Sequence, residues 1–268
     1  MIRFWFPIII LVLWALSAVI GALVTLNPYD IELMHILTPP NAQAWLGYDD
    51  LGRPIFDRFI LGATTSFVVG ITVVTICAIV GTAIGSFSAY FGGWIDLLVV
   101  RVIDVFLAFP GILLAIALAS VMGPGIENVV IALSVVGWVG YARLARAQVL
   151  SLKQREHVRA AVALGVAPFG VIWRHLLPLT LAPLIVEVTF GIAGVVISEA
   201  GLSFLGLGVQ PPDASWGSMI RDGSRYMLIS PHMVLAPGLS LVLVVLSVNL
   251  LGDRMRDHFD VKRRPVER

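Results

Sequence analysis

The sequence predicts an all-α, polytopic membrane protein with about six transmembrane helices. Apolar side chains make up 58% of the 268 residues and charged side chains 13%, whereas soluble globular proteins carry about 25% charged residues. A water-soluble fold could not bury that much apolar surface, so lipid is the expected solvent. Six apolar segments approach the roughly 20 residues that a helix needs to cross a bilayer, namely residues 5–26, 66–90, 97–122, 128–149, 178–199 and 233–252.

The first of these segments is expected to be a retained helix. A single arginine precedes an uncharged run from Phe4 to Leu26. The apolar core of a cleaved signal peptide is only about 7–15 residues long, and this run is longer. A signal peptide is the alternative interpretation.

Lysine and arginine are concentrated in two parts of the chain, and this asymmetry predicts its orientation. They cluster between residues 150 and 177 and in the tail 253–268, whereas residues 27–62 hold more acidic than basic side chains. Loops rich in Lys and Arg stay in the cytoplasm. We therefore expect both termini, the loop 150–177 and the tail to be cytoplasmic, and residues 27–62 and 200–232 to be periplasmic. Residues 1–268 would form a single transmembrane domain.

Several classes of function lack their sequence signatures. The chain has no G-x-x-x-x-G-K-[ST] phosphate-binding loop, no H-E-x-x-H zinc motif and no Ser, His and Asp set on a recognisable turn. A net charge of +1 provides no basic field for nucleic acid. Cys77, the only cysteine, has no partner for a disulfide or a metal site. We expect a non-catalytic protein without a metal or cofactor of its own.

The basic loop between the fourth and fifth apolar segments predicts a short amphipathic helix. The loop reads SLKQREHVRAAVALGVAPFGVIWRHLLPLT over residues 151–180, and the helix is expected over residues 155–164. Its apolar side would carry Val158, Ala161 and Val162. The small side chains of Ala160 and Ala161 would let a partner surface approach closely.

Gly165 is expected to end this helix, because glycine readily adopts the left-handed conformation that follows a helix end. A second short helix is predicted over residues 168–176, and Leu177 with Pro178 would open the next span. A solvated basic loop without further function is the alternative.

This loop resembles the EAA loop of binding-protein-dependent ABC importer permeases. Five residues in matching order and spacing carry the resemblance, namely Ala160, Ala161, Gly165, Leu177 and Pro178. In that family the loop forms coupling helices that sit in a cleft of the ATPase subunit, and the resemblance implies the same role here. One position differs: the leading Glu of the family is Arg159 in this chain, and Glu156 lies one helical turn earlier.

The resemblance continues from about residue 40 to 260. Stretches such as WLGYDDLGRPIFDRFILGA (45–63) and EAGLSFLGLGVQPPDASWGSMIRDG (199–223) are similar to the second, C-type permease of dipeptide, oligopeptide and nickel importers of the bacterial inner membrane. That resemblance implies a homologous partner permease in a heterodimer, two ATPase subunits that bind ATP and Mg²⁺, a periplasmic or lipoprotein solute-binding protein, and surrounding membrane lipid. It implies peptide substrates, with nickel, a metal chelate or glutathione as alternatives.

Three acidic residues are predicted to lie within or at the end of the spans, namely Asp104, Glu187 and Glu199. An acid at the bilayer centre costs at least about 2.5–3.5 kcal/mol, so such residues face protein or a water path. Arg101 lies three residues before Asp104, a spacing that permits an ion pair on one helix. Each acid is a candidate for the translocation path or for packing. An ion-coupled secondary carrier, the rival interpretation, would use them to bind its coupling ion.

The periplasmic segment GLSFLGLGVQPP (201–212) is expected to interrupt the helix with its glycines and its proline pair. A short surface or re-entrant element that touches a binding protein is the predicted structure, and a simple loop is the alternative. Trp216 is predicted to anchor the segment at the membrane interface. The candidate contacts with a binding protein are Gln210, Pro211, Asp213 and Trp216.

Overall fold

The computed structural model describes residues 2–24 and 26–259, and the regular elements in these residues are helical. Residues 260–268, which include most of the predicted cytoplasmic tail, lie outside the described residues. The α-helices are α1 (Ile2–Leu23), α2 (Ile55–Phe91), α3 (Gly93–Leu107), α4 (Gly111–Met122), α5 (Ile126–Leu152), α6 (Glu156–Ala163), α7 (Pro168–Gly170), α8 (Leu177–Phe204), α9 (Trp216–Ser224) and α10 (His232–Phe259). A π-helical turn, Val171–Leu176, joins α7 to α8.

The all-α prediction is confirmed, and each predicted span falls on a helix or a helix pair. Among the described residues, four stretches are long and apolar enough to cross a membrane: α2, α5, α10 and the continuous helical stretch Pro168–Phe204. The pair α3 and α4 makes a fifth if it is taken as one span. The predicted span 5–26 corresponds to α1, whose described apolar part is Trp5–Gly21.

The predicted third span, 97–122, is not one straight helix. Its two halves, α3 and α4, meet at an angle of 85°. The cause is Pro110, which has no N–H to donate into a continuing helix and which disfavours helical geometry at the residue before it. Pro110 is the N-cap of α4, and Ile103 is the buried residue of α3. Most of α3 therefore faces away from the rest of this chain.

The fold is centred on the crossing of α2 and α5, the most extensive helix contact among the described residues. Gly81 and Gly85 of α2 lie against the backbone of α5. A Cβ atom at Gly81 would stand 2.7 Å from the Cβ of Tyr141, and one at Gly85 would overlap the backbone of Ala142. Small residues four positions apart let membrane helices approach closely. The sequence analysis did not single out this G-x-x-x-G pair.

The buried side chain of Arg58 joins the two segments that were predicted to be periplasmic. Its guanidinium donates to the carbonyl oxygen of Pro212 at 3.1 Å and to that of Pro28 at 3.5 Å. It also pairs with Asp49 at 3.4 Å, and Asp49 accepts a shorter bond of 2.7 Å from Arg53. This cluster ties residues 27–54 and 205–215 into one platform.

The packing of this platform shifts the pKa of two of its titratable groups. The pKa of Asp50 is raised, mainly because its carboxyl group is partly buried and secondly because the Asp49 carboxylate lies nearby. The Tyr29 hydroxyl donates to Asp213 at 2.7 Å, and that bond is the main reason why the pKa of Tyr29 is raised. The bond also links the two outer segments a second time.

The crossing of α2 and α5 can be tested with two matched glycine variants. Gly85→Ala places a methyl group against the α5 backbone, and overpacking of this kind costs about 1–3 kcal/mol. Gly238→Ala in α10 is the control, because no atom lies within 4 Å of a Cβ there. We expect a lower thermal unfolding midpoint in detergent for Gly85→Ala and an unchanged or higher midpoint for Gly238→Ala. Equal midpoints would mean that the close approach contributes nothing.

The Arg58 cluster makes a second prediction. Arg58→Leu leaves buried carbonyl groups and part of the Asp49 carboxylate without a donor, which costs about 1–3 kcal/mol. We expect faster protease cleavage within residues 205–231 than in the native protein. Arg225→Leu, which changes an exposed arginine on the same segment, should cleave at the native rate. Cleavage of Arg58→Leu at the native rate would contradict the structural role of the cluster.

Candidate functional site

The predicted amphipathic helix of the basic loop is α6. Val158 and Ala161 are buried, and Val158 packs with residues from the end of α5 and from the π-helical turn. Glu156, Arg159 and Ala160 are exposed. The charged residues are exposed, as predicted. Val162, which was predicted to lie on the apolar side, is exposed instead of buried. The helix has only two inward positions because it is just over two turns long.

The two alanines of the loop have different surroundings. Ala161 packs against its own chain, so it cannot offer a surface to a partner. Ala160 is exposed on the opposite side of α6. The predicted close approach of a partner therefore depends on Ala160, and Ala161 serves to seat α6 on the helices behind it.

Gly165 ends α6 in the predicted left-handed conformation, with φ at +82°. Its N–H donates to the carbonyl oxygen of Val162 at 3.0 Å, and the N–H of Val166 donates to that of Ala161 at 3.1 Å. These two bonds form the Schellman motif, which satisfies carbonyl groups at a helix end. No atom lies within 4 Å of a Cβ built at Gly165. The requirement for glycine is therefore conformational, not steric.

The second predicted helix, 168–176, exists but does not stop before Leu177. Helical structure is continuous from Pro168 to Phe204. The Leu177 N–H donates to the carbonyl oxygen of Ile172, five residues earlier, within the π-helical turn. A wider turn of this kind can accommodate Pro178, which has no N–H and would clash with a tightly wound preceding turn. The expected break at Leu177 and Pro178 is thus replaced by a local widening.

The exposed residues between 156 and 174 form what we call the coupling surface. Its apolar members stand out, with Leu164 exposed by 85% and Trp173 by 68%, and Phe169 is also exposed. Arg159 and Arg174 lie exposed among them. Apolar groups gathered on an exposed surface indicate a site of interaction with another protein or with membrane. These three exposed side chains were not predicted, although the two aromatic ones within a basic loop were an available signal.

Asp104 lies on the exposed side of α3. Its carboxylate is 3.9 Å from Arg101, as the spacing predicted, but the Asp104 side chain is 56% exposed and the arginine more so. Asp104 therefore neither packs within this chain nor lines the cavity described below. It belongs to the outward face that the bend at Pro110 creates.

Glu199 is a packing residue. Its side chain is completely buried, and it accepts hydrogen bonds from Ser203 at 2.7 Å and from Ser66 at 3.0 Å. Ser215, just before α9, is a third hydroxyl partner. These bonds join α8, α2 and the start of α9. Of the two roles left open for Glu199, the structure supports packing.

Glu187 lines an intramembrane cavity of about 300 Å³ between α2, α4, α5 and α8. Its side chain is half-buried, and its Oε1 lies 3.4 Å from a Cβ built at Gly140 of α5. The cavity walls are mostly glycine and aliphatic side chains, with Cys77, Tyr141 and Ser198 as the other polar members. Among the three predicted acids, Glu187 is the one that faces this space.

The four candidates for contact with a binding protein separate into two groups. Gln210, Pro211 and Asp213 are exposed, and the Gln210 amide donates to three carbonyl groups of its own loop, at 3.0, 2.9 and 3.4 Å. Trp216 is buried, so its predicted place at the membrane interface is wrong. It stacks on Phe59 with ring centroids 5.6 Å apart, and its Nε1 donates to the Phe59 carbonyl oxygen. It is a core residue of the outer platform.

Comparison with known proteins identifies relatives for most of the chain. The sequence model of a family described as binding-protein-dependent transport system inner membrane component matches residues 81–265. The dipeptide transport system permease protein DppC of Alkalihalophilus pseudofirmus is 41% identical over 96% of this chain and 85% of that protein. The glutathione transport system permease protein GsiD of Escherichia coli O6:K15:H31 is 43% identical over 88% of this chain and 79% of that protein.

A solved structure shares the fold. The inward-facing MetNI methionine ABC transporter contains a chain that superimposes with a TM-score of 0.61 and 19% sequence identity, over 76% of this chain and 97% of that one. At this identity the likeness establishes the fold alone.

Proposed function

This chain belongs to the binding-protein-dependent transport system inner membrane components, and we propose that it is the permease subunit through which an ATP-driven importer moves dipeptides or short oligopeptides into the bacterial cell. The coupling surface is the observation that carries this proposal. It is a solvent-exposed, partly apolar and basic face on a helix that packs against the membrane-spanning helices.

The geometry behind the coupling surface suits the transmission of force. Val158 of α6 packs against Val171 and Leu176 of the π-helical turn, which continues directly into α8. The Nζ of Lys153, just before α6, donates to the carbonyl oxygen of Ala89 in α2 at 2.9 Å. A displacement of α6 would therefore act on two spans at once. This is the rigid-body coupling that alternating access requires.

The proposal includes partners that supply what the sequence lacks. Because the chain carries no phosphate-binding loop, two ATPase subunits would bind ATP and Mg²⁺ and contact the coupling surface. A homologous partner permease would complete the translocation path, with its exposed partner face including α3. A periplasmic or lipoprotein solute-binding protein would dock on the outer platform near Gln210, Pro211 and Asp213. Membrane lipid would cover the remaining apolar surface.

Peptides are the proposed substrate because the dipeptide permease relative aligns with nearly the whole chain. The glutathione permease relative keeps glutathione as an alternative, and nickel or a metal chelate is a further one. An ion-coupled secondary carrier is the rival class. The test is uptake of a labelled dipeptide by the reconstituted complex. Uptake that requires ATP and persists after the ion gradients are abolished would exclude this rival.

Orientation makes a third testable prediction. Gln154 and Met227 are both exposed and lie on the loops proposed to be cytoplasmic and periplasmic. In a Cys77→Ser background, Gln154→Cys should react with a membrane-impermeant maleimide only in inverted vesicles. Met227→Cys should react in intact spheroplasts. Labelling of both positions from the same side would contradict the proposed orientation.

The role of the coupling surface makes a fourth prediction. Gly165→Val forces a β-branched residue into the left-handed conformation, which costs roughly 1–2 kcal/mol or more, and should distort the end of α6. We expect membrane insertion to persist, while co-purification of the ATPase subunits and ATP-dependent uptake fall together. Gly165→Asn is the matched control, since Asn tolerates this conformation, and it should retain most of the activity. Native ATPase recruitment and uptake in Gly165→Val would refute the coupling role.

A further inference from the structure

Four glycines line the cavity beside Glu187, namely Gly111, Gly137, Gly191 and Gly194. A Cβ at Gly137 would stand 2.7 Å from the Cys77 sulfur, and one at Gly191 would overlap the Tyr141 hydroxyl. These two glycines therefore let neighbouring side chains pack closely at the edge of the cavity. At Gly194 no atom lies within 4 Å of a Cβ, so the missing side chain there leaves the space open.

Two polar groups in this cavity lack the partners that their surroundings would demand. Tyr141 is only 5% exposed, and its hydroxyl has no hydrogen-bond partner within the described residues. The Glu187 carboxylate lies on α8 one turn from Gly191, against which the Tyr141 hydroxyl rests. No Lys, Arg or His belongs to the residues that line the cavity. A carboxylate and a phenol thus belong to an apolar cavity wall that carries no cationic side chain.

Burying these two polar groups without partners costs free energy unless a bound ligand supplies the missing partners. An acid within the bilayer faces protein partners or a water path, and an unpaired buried hydroxyl costs about 1–3 kcal/mol. A ligand with a primary ammonium group has the matching chemistry, because it brings one positive charge and several N–H donors. Its charge would pair with Glu187. The Tyr141 hydroxyl is enclosed against Gly191, and a small shift of this side chain towards the cavity would let it accept a remaining N–H.

We propose that Glu187 and Tyr141 form a binding site for the α-ammonium group of the transported peptide. This inference rests on the proposed peptide substrate and assigns one end of it to this cavity. The volume of about 300 Å³ lies at the lower limit of small-molecule pockets, about 300–1,000 Å³, so it suits the first residue of a peptide. Ile112 and Gly194, both in the wall, are exposed at the surface of the chain. The rest of the peptide can therefore extend beyond this subunit.

The site can be tested by charge-selective labelling of the complete importer in lipid nanodiscs, without binding protein or ATP. Val136 lines the cavity one helical turn from Gly140, the α5 residue beside the Glu187 carboxylate, and Val136→Cys in a Cys77→Ser background provides the reporter thiol, read by mass spectrometry of its peptide. The cationic 2-aminoethyl methanethiosulfonate should react faster than the anionic 2-sulfonatoethyl reagent. Adding Glu187→Gln should reduce the ratio of the two rates about tenfold, since a carboxylate at close range favours the cation.

Two controls accompany this measurement. Glu127→Gln changes an exposed acid of α5 outside the cavity wall and should leave the ratio unchanged. Neutral methyl methanethiosulfonate should label Val136→Cys at the same rate with and without Glu187→Gln, which reports an intact fold. An unchanged ratio in Glu187→Gln would mean that the carboxylate carries no charge in the cavity, and it would overturn the proposal.

Protection by a ligand then tests the ammonium group itself. Alanylalanine should slow labelling of the reporter thiol, and N-acetyl-alanylalanine, which lacks the charge, should not. Glu187→Gln should abolish this protection, and Tyr141→Phe should weaken it severalfold. Equal protection by both peptides would overturn the site. The labelling needs neither ATP nor binding protein, so it is independent of the uptake assay. If the complex takes up dipeptides with ATP but its labelling does not change in Glu187→Gln, this site is refuted and the permease role is not.

Discussion

The close approach of α2 and α5 is the contact on which the other features of this protein depend. Lipid tails are as apolar as the side chains of a membrane helix, so association relies on tight packing instead of the hydrophobic effect. Gly81 and Gly85 permit that packing. The same contact sets Tyr141 beside the cavity, and at the end nearest α6 it brings Lys153 to the carbonyl oxygen of Ala89 in α2. The bidentate pair of Arg146 with Asp96, at 2.7 Å for both bonds, adds α3 to this frame.

Features with local causes could be predicted from the sequence. Spans follow from runs of apolar residues, and the left-handed end of α6 follows from Gly165 and its position after an amphipathic stretch. The burial of Trp216 could not be predicted, because a tryptophan near a span end has the same local signal whether it meets lipid or Phe59 and Trp14. The Arg58 cluster was missed for a similar reason: its acceptors are carbonyl groups from segments far apart in sequence.

The three membrane acids illustrate the same limit. In the sequence they are equivalent, since each is an acid in or beside an apolar run. In the structure Asp104 is exposed on the outward face of α3, Glu199 is enclosed by hydroxyl groups, and Glu187 faces a cavity. Only the neighbouring helices distinguish these environments. Hydroxyl donors can satisfy a carboxylate without a counter-charge, which explains how Glu199 can be buried without a basic partner.

The continuous helix from the coupling loop to the outer platform has a mechanical consequence. Its 37 residues extend over roughly 55 Å at 1.5 Å per residue. One end is held by the hydroxyl bonds of Glu199, whereas the other end carries Phe169 and Trp173 of the coupling surface. A rigid helix held at the Glu199 end would rotate about that end, which acts as its pivot. Glu187 lies twelve residues, or about 18 Å, from that pivot, and Pro168 lies 31 residues, or about 46 Å, from it. A swing of several ångströms at Pro168 would therefore shift the cavity wall by about two-fifths as much.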